Sequence, residues 1–119
     1  MKILCYEKCS TCKKALKWLK ENGIEIPVRP IKEENPSKEE LRQWQKLSGL
    51  PLNKFFNTSG KLYREYGLSK KLPFMSDEEM LDLLASDGML VKRPILVKED
   101  AVLVGFKESE YAEELLPRI

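Results

Sequence analysis

The sequence predicts an α/β protein in which helices cover one mixed sheet. Short apolar runs typical of strands occur near both ends of the chain, helical periodicity dominates the middle, and the elements follow the order β-α-β, helices, β-β-α. The 119 residues fit one domain, so we expect residues 1–119 to form it, with the middle helices as an insertion at about residues 36–90.

The N-terminal part predicts a strand, a helix and a second strand. Residues 3–6 are apolar and are followed by charge, as in a buried strand. From Thr11, apolar residues recur at helical spacing until Asn22 and Gly23 end the pattern. Residues 24–31 predict another strand, which we place at a sheet edge because its two prolines lack an N–H.

Helix signals dominate the middle of the chain. Two serines stand three residues before a glutamate, the spacing of a capping box: Ser37 with Glu40, and Ser76 with Glu79. They predict a helix over residues 37–48 and another that ends at Gly88. Between these helices, residues 55–60 indicate a loop with buried rings, and residues 62–67 a short helix.

The C-terminal part predicts a hairpin and a helix. Two β-branched runs, residues 95–97 and 102–104, are separated by a short charged segment, which is typical of a hairpin. Residues 108–116 have the amphipathic pattern of a closing helix.

Composition excludes several classes of function. No apolar run approaches the ~18 residues of a membrane span, and residues 1–8 lack the apolar core of a secretory signal, so we expect a cytoplasmic monomer. The chain carries 21 Lys and Arg against 19 Asp and Glu, a net charge of +2 that is too balanced to predict direct nucleic-acid binding. It has no histidine, which excludes imidazole catalysis and imidazole zinc ligands.

A C-x-x-C pair, Cys9 and Cys12, stands where the first strand passes into the first helix. Only a thiolate is a nucleophile, and the unpaired N–H groups and positive dipole at a helix start favour the thiolate. Lys8, Lys13 and Lys14 add positive charge. We therefore expect the pKa of Cys9 to lie below the ordinary thiol value, with Cys9 as the attacking sulfur and Cys12, one turn inside the helix, as the resolving thiol.

The same pair could be half of a zinc site. A closed site needs about four ligands, and the chain offers no histidine and only Cys5 as a further cysteine. The pattern therefore favours redox chemistry without a bound metal over a zinc site or inert thiols. Cys5 shares a strand face with Ile3 and is predicted to be a small core residue without a catalytic role.

Arg93 and Pro94 directly precede the predicted strand over residues 95–97. A proline at this position either removes a donor from the ladder or marks a special turn. A guanidinium can bind an oxyanion through paired hydrogen bonds, but the spacing alone favours a solvated Arg93.

Several stretches together carry a resemblance to a known family. They are Lys8-Cys9-Ser10-Thr11-Cys12-Lys13-Lys14-Ala15 with Trp18-Leu19, then Asn57-Thr58-Ser59-Gly60, Arg93-Pro94-Ile95 and Val104-Gly105-Phe106. In order and spacing they resemble the arsenate reductase-like family, which groups ArsC, the regulator Spx and YffB-type proteins. The resemblance covers essentially the whole chain, and it is strongest to the YffB and ArsC-related branch.

The resemblance implies a thioredoxin-like, glutaredoxin-like fold, in which a mixed four-stranded sheet carries an all-helical insertion. It implies that Cys9 is the reactive cysteine, that Pro94 is a cis-proline beside it, and that Arg93 points toward the thiolate or a bound oxyanion. It also places a set of residues around the substrate: Ser10, Thr11, Lys13, Asn57 and Pro94.

The chain departs from true arsenate reductases, which place three arginines around arsenate. Only Arg93 is retained, and the other two positions fall near Asn57 and near Gly105 and Phe106. At ~1.5–3 kcal/mol per charge-assisted hydrogen bond, the two missing guanidiniums remove roughly 3–6 kcal/mol of favourable interaction with the arsenate oxyanion. This loss argues against efficient arsenate reduction.

The resemblance therefore implies a thiol-dependent oxidoreductase that reduces arsenate or a disulfide. It implies no bound cofactor, and glutathione, glutaredoxin or thioredoxin as the electron donor. The alternative is an Spx-type redox-sensing regulator that binds RNA polymerase, with the Cys9–Cys12 disulfide as its switch.

Overall fold

A computed structural model describes residues 1–117. A four-stranded mixed sheet forms the centre of the protein. The strands are β1 (Lys2–Cys5), β2 (Val28–Pro30), β3 (Ile95–Val97) and β4 (Val102–Val104), in the order β2-β1-β3-β4. β1 pairs with β2 in parallel and with β3 antiparallel, and β3 and β4 form the predicted antiparallel hairpin. The mixed α/β fold with the predicted element order is confirmed.

The edge position predicted for β2 is also correct, although the strand is shorter than residues 24–31. Ile24 donates its N–H to the carbonyl of Leu19 and so belongs to the end of the preceding helix. Only Val28–Pro30 pairs with β1. Proline cannot donate to a ladder, so this segment is tolerated only on an outer strand.

Alternate residues of β1 serve two separate cores, as the two-residue period of a strand requires. Ile3 and Cys5 face a cluster that includes residues of α1 (Ser10–Glu21) and α6 (Glu108–Leu115). Leu4 faces the opposite cluster, which is filled by the insertion. The predictions that Cys5 is a core residue and that helices cover the sheet are confirmed.

The insertion consists of helices joined by tight turns. Its α-helices are α2 (Lys38–Ser48), α3 (Lys61–Glu65), α4 (Leu68–Lys71) and α5 (Asp77–Ser86), and its 3₁₀ turns are Leu52–Phe55, Leu72–Phe74 and Gly88–Leu90. Both predicted capping boxes are present, at Ser37 and Ser76. α5 ends before Gly88 because Asp87 leaves the helical backbone conformation and its carboxylate accepts the N–H of Met89 at 2.8 Å.

Within residues 1–117, every helix is too short or too polar to cross a membrane.

Candidate functional site

Cys9 is the N-cap of α1, the last residue before the helix begins. Its backbone is extended, and its Sγ accepts the N–H of Cys12 at 3.4 Å, as a capping serine or aspartate oxygen would. The side chain is half-buried. The expected position of Cys9 outside the helix, with its sulfur at the helix start, is confirmed.

The expected low pKa of Cys9 is not borne out. Burial of the thiol is the largest influence and raises its pKa above the ordinary value. The hydrogen bond from the Cys12 N–H and the charge of Arg93 lower the pKa of Cys9, but these two effects are smaller. The helix start therefore offsets part of the burial cost without activating the thiol in the resting protein.

Cys12 lies beneath Cys9 and is only 1% exposed. Its Sγ accepts the N–H of Tyr6 at 3.5 Å. A hydrogen bond with the thiol of Cys5, followed by burial, raises the pKa of Cys12 far above the ordinary value. Cys12 is thus a protonated, inaccessible thiol in contact with the more exposed Cys9.

The loop that carries Asn57 is tied to the segment that leads to Arg93. The N–H of Asn57 donates to the carbonyl of Leu90 at 2.8 Å, and the N–H of Lys92 donates to the carbonyl of Phe55 at 2.7 Å. These two backbone hydrogen bonds hold the loop against the end of the insertion. They bring together residues that are far apart in sequence.

Arg93 precedes a cis peptide bond to Pro94, as the resemblance implied. The Arg93 guanidinium carbon lies 5.0 Å from the centre of the Tyr6 ring, a cation–π distance. Its Nη1 makes only long contacts to the carbonyls of Met89 and Val91, at 3.4 and 3.5 Å, and its buried Nε has no hydrogen-bond partner among the described residues. The guanidinium is therefore incompletely satisfied beside Cys9.

A cavity of about 540 Å³ opens at Cys9. It is lined by Lys8, Cys9, Ser10, Thr11, Asn57, Thr58, Ser59, Gly60, Lys92, Arg93, Val104, Gly105, Phe106 and Lys107. Four of these residues are basic, and none of the described lining residues is acidic. The cavity is electropositive and suits an anionic ligand.

The structure brings most of the predicted site residues to this cavity. Those in its lining are Cys9, Ser10, Thr11, Asn57 and Arg93. Cys12 is buried behind the lining, Lys13 is exposed on α1 outside it, and Pro94 is buried next to Arg93. Direct substrate contact predicted for Lys13 and Pro94 is therefore not supported by the cavity lining.

Two lysines of the cavity were not predicted as site residues. Lys92 directly precedes Arg93, and Lys107 directly follows the Val104-Gly105-Phe106 stretch. Their only sequence signal is this adjacency to stretches of the family pattern. They add positive charge to the cavity lining.

In the part of the chain that the structure describes, no three side chains of the ligating types Cys, Asp and Glu form a group that could hold a metal ion.

A second cavity, of about 600 Å³, lies within the insertion and shares Thr58 and Lys92 with the first, but no cysteine lines it.

The chain is similar in sequence to proteins of one known family. A family model described as the ArsC family matches residues 4–114. The uncharacterized protein YusI of Bacillus subtilis (strain 168) is 56% identical, and the match covers 91% of this chain and 92% of YusI. The regulatory protein MgsR of the same strain is 30% identical over 88% of this chain and 82% of MgsR. The global transcriptional regulator Spx of Lactiplantibacillus plantarum is 28% identical over 92% of this chain and 81% of Spx.

Solved structures extend the likeness to the fold. An ArsC family related protein from Bacteroides fragilis has a TM-score of 0.92 at 56% identity, over 94% of each chain. A protein from Streptococcus mutans UA159, described as a possible arsenate reductase, has a TM-score of 0.87 at 42% identity, over 96% of this chain and 97% of that one.

Proposed function

The chain belongs to the ArsC family, and on this premise we propose that it is a thiol-dependent oxidoreductase in which Cys9 attacks the substrate and Cys12 resolves the adduct. The observation that carries the proposal is the pairing of a half-exposed Cys9 with a buried Cys12 at the mouth of an electropositive cavity. The low exposure and raised pKa of Cys12 support Cys9 as the thiol that reacts first.

With a disulfide substrate the chemistry takes two steps. The Cys9 thiolate attacks one substrate sulfur, forms a mixed disulfide and releases the other half as a thiolate. Cys12 then attacks the Cys9 sulfur, forms the Cys9–Cys12 disulfide and releases the second half as a thiol that carries the Cys12 proton. The protein is oxidised by two electrons, and the substrate disulfide is reduced to two thiols.

With arsenate the same thiols act on a different atom. Cys9 displaces a hydroxyl group from arsenic, and Arg93 stabilises the negative charge of the resulting thiol–arsenate adduct. Attack on the Cys9 sulfur by Cys12 or an external thiol then releases arsenite. Arsenic gains the two electrons that the thiols lose on forming a disulfide.

The basic residues of the cavity favour an anionic disulfide over arsenate. Among the described lining residues Arg93 is the one guanidinium, whereas Lys8, Lys92 and Lys107 are point charges on flexible stems. Lysines attract a negatively charged ligand without the bidentate geometry that holds a small oxyanion. A disulfide that carries carboxylates would fill more of the cavity of about 540 Å³.

The electron donor would be glutathione, glutaredoxin or thioredoxin, each of which supplies the thiols that reduce the Cys9–Cys12 disulfide. The protein needs no resident cofactor in this cycle. We place the cycle in the cytoplasm, where such thiol donors are kept reduced.

The similarity to MgsR and Spx supports a second candidate function, a redox-controlled regulator. In that case the Cys9–Cys12 disulfide is the switch and RNA polymerase is the partner. The two candidates differ in turnover, because a regulator would bind its partner without consuming a substrate continuously.

The test compares oxidised glutathione, an anionic disulfide, with arsenate in an assay that follows the oxidation of reduced thioredoxin, because glutathione as the donor would give no net reaction with its own disulfide. We expect turnover with oxidised glutathione to exceed that with arsenate. Lys92→Gln should raise KM for the disulfide by roughly three- to tenfold with little change in kcat, since it removes attraction shared by ground and transition states. Lys46→Gln, an exposed lysine on α2, is the matched control.

Cys9→Ser should abolish turnover with both substrates. Absence of turnover in the unmodified protein, together with retention of RNA polymerase in a pull-down that depends on the Cys9–Cys12 disulfide, would replace the enzyme with the regulator.

A further inference from the structure

Cys5 is a third thiol that lies below the candidate site. It ends β1 and is 5% exposed, and it belongs to the same buried cluster as Cys12, against which Cys9 also packs. Cys5 and Cys12 share this cluster, and the interaction with Cys5 is the largest cause that raises the pKa of Cys12. The proposed catalytic cycle does not use this contact.

Cys12 connects the other two thiols. The backbone N–H of Cys12 donates to the Cys9 sulfur at 3.4 Å. On the other side, the N–H of Tyr6, the residue after Cys5, donates to the Cys12 sulfur at 3.5 Å. Cys12 therefore contacts Cys9 through its backbone N–H, and its sulfur lies against the backbone of the residue that follows Cys5.

We propose that Cys5 is a third redox-active thiol, which takes over the disulfide from Cys9 by attacking the Cys12 sulfur. The Cys5–Cys12 bond forms as the Cys9–Cys12 bond breaks, and the proton that leaves Cys5 ends on Cys9. Two electrons stay within the protein, so this exchange needs no further oxidant or reductant. In the cell it rests on the proposed function, whose substrate supplies the first disulfide.

The exchange moves the disulfide away from the cavity and leaves a free thiol there. The oxidised pair moves from the cavity mouth to Cys5 and Cys12, which are 5% and 1% exposed. Burial limits the access of external thiols to that disulfide. Cys9 regains a thiol in the cavity and can form a mixed disulfide with a second anionic thiol, while the protein retains the first oxidation.

A trypsin map distinguishes the two disulfides. Cleavage after Lys2, Lys8 and Lys13 leaves Cys5 in the peptide of residues 3–8 and both other cysteines in the peptide of residues 9–13. A Cys9–Cys12 bond stays inside the second peptide, whereas a Cys5–Cys12 bond links the two peptides. Alkylation before digestion then marks Cys9, and fragmentation of the linked peptides locates the mark.

The full chain is oxidised with one equivalent of diamide, without substrate, and samples are quenched in acid over time. We expect the internal disulfide first and the linked peptides later, in the monomer band of a non-reducing gel. The rate of Cys9 alkylation should rise roughly tenfold as the peptides linked through Cys5 and Cys12 appear. In Cys5→Ala we expect the Cys9–Cys12 disulfide to persist and Cys9 to stay unavailable for alkylation. Cys5→Val, whose side chain fills the same site differently, should give the same result.

Failure of the exchange has a distinct signature. An internal disulfide that persists in the unmodified protein, as it does in Cys5→Ala, overturns the proposal, and so does a linked pair in which Cys12 carries the alkyl group. The proposed function fails differently: oxidised glutathione then forms no Cys9–Cys12 disulfide in Cys5→Ala, although diamide does.

Discussion

The Cys9 thiol experiences opposing influences that are each set by a neighbouring group. Burial raises its pKa, whereas the Cys12 N–H and the positive charge of Arg93 lower it. The Arg93 guanidinium has no carboxylate partner among the described residues, so its charge is not neutralised locally. Arg93 therefore offsets a part of the rise in the pKa of Cys9 that burial causes.

We predict that the rate of Cys9 alkylation by iodoacetamide rises with a midpoint above the ordinary thiol pKa of 9.0. Arg93→Gln should move this midpoint to still higher pH, because removal of a positive charge disfavours the thiolate. Arg93→Lys should restore most of the difference. The measurement is the alkylation rate against pH, with Cys9 identified by fragmentation of the peptide of residues 9–13.

Arg64→Gln removes an exposed guanidinium from α3 and should leave the Cys9 profile unchanged. A midpoint that is the same in Arg93→Gln and in the unmodified protein would show that the charge of Arg93 does not reach the thiol.

At the scale of elements, one ion pair joins the edge strand to the insertion. The Arg29 guanidinium of β2 donates to both carboxylate oxygens of Glu40 on α2, at 2.6 and 2.9 Å. Glu40 also accepts the N–H of Ser37 at 3.0 Å and so completes the capping box of α2. β2 pairs with β1 through three residues, and this partly buried ion pair adds a side-chain link between the edge strand and the insertion.

We predict that Glu40→Gln lowers the free energy of unfolding at pH 7 by about 1–3 kcal/mol, the range for a charge-assisted hydrogen bond with a partly buried partner. The Arg29 hydrogen bonds hold the pKa of Glu40 at about 2, below its ordinary 4.5. The stabilisation is therefore present above pH 4.5 and is lost as the pH falls toward 2.

Urea unfolding at a series of pH values measures this effect. The difference between the unmodified protein and Glu40→Gln should narrow from pH 4.5 to pH 2, while Glu33→Gln, an exposed control just before α2, should match the unmodified protein throughout. A difference that is constant over this range would assign the loss to packing instead of charge.

For the molecule as a whole, local patterns predicted the elements and tertiary contacts determined the site. The capping boxes at Ser37 and Ser76 are present because both partners lie within one turn of sequence. Cys9, Ser10 and Thr11 are adjacent, so their shared cavity followed from one strand–helix junction. The role of Asn57 came from the family pattern alone, because the backbone hydrogen bonds that bring its loop to the cavity have no local signal.

The wrong prediction for the Cys9 pKa has the same origin. Helix position and neighbouring lysines are visible in the sequence, whereas burial depends on which distant segments close over the thiol. Lys92 and Lys107 were missed as site residues for a related reason, since a lysine beside a recognisable stretch gives no indication of the direction of its side chain.

The end of the insertion packs directly against the sheet at Gly88. This residue begins the 3₁₀ turn after α5, and a Cβ at its position would lie 2.0 Å from the carbonyl oxygen of Ile31. Ile31 follows β2, and its N–H donates to the carbonyl of Cys5 at 2.9 Å. The contact therefore joins the insertion to the strand that leads to the thiols, and neither backbone segment can move without breaking hydrogen bonds.

We predict that Gly88→Ala lowers the free energy of unfolding by about 3 kcal/mol or more, because a methyl group cannot be placed at 2.0 Å from a backbone oxygen without displacing it. Gly23→Ala is the matched control: its Cβ would meet open space, but its φ of +69° strains a side chain, so a cost of about 1 kcal/mol is expected. Thermal and urea unfolding followed by circular dichroism compare the two variants. If Gly88→Ala were no more destabilising than Gly23→Ala, the end of the insertion could shift away from the segment after β2 at little cost, and the close approach at Gly88 would not contribute to stability.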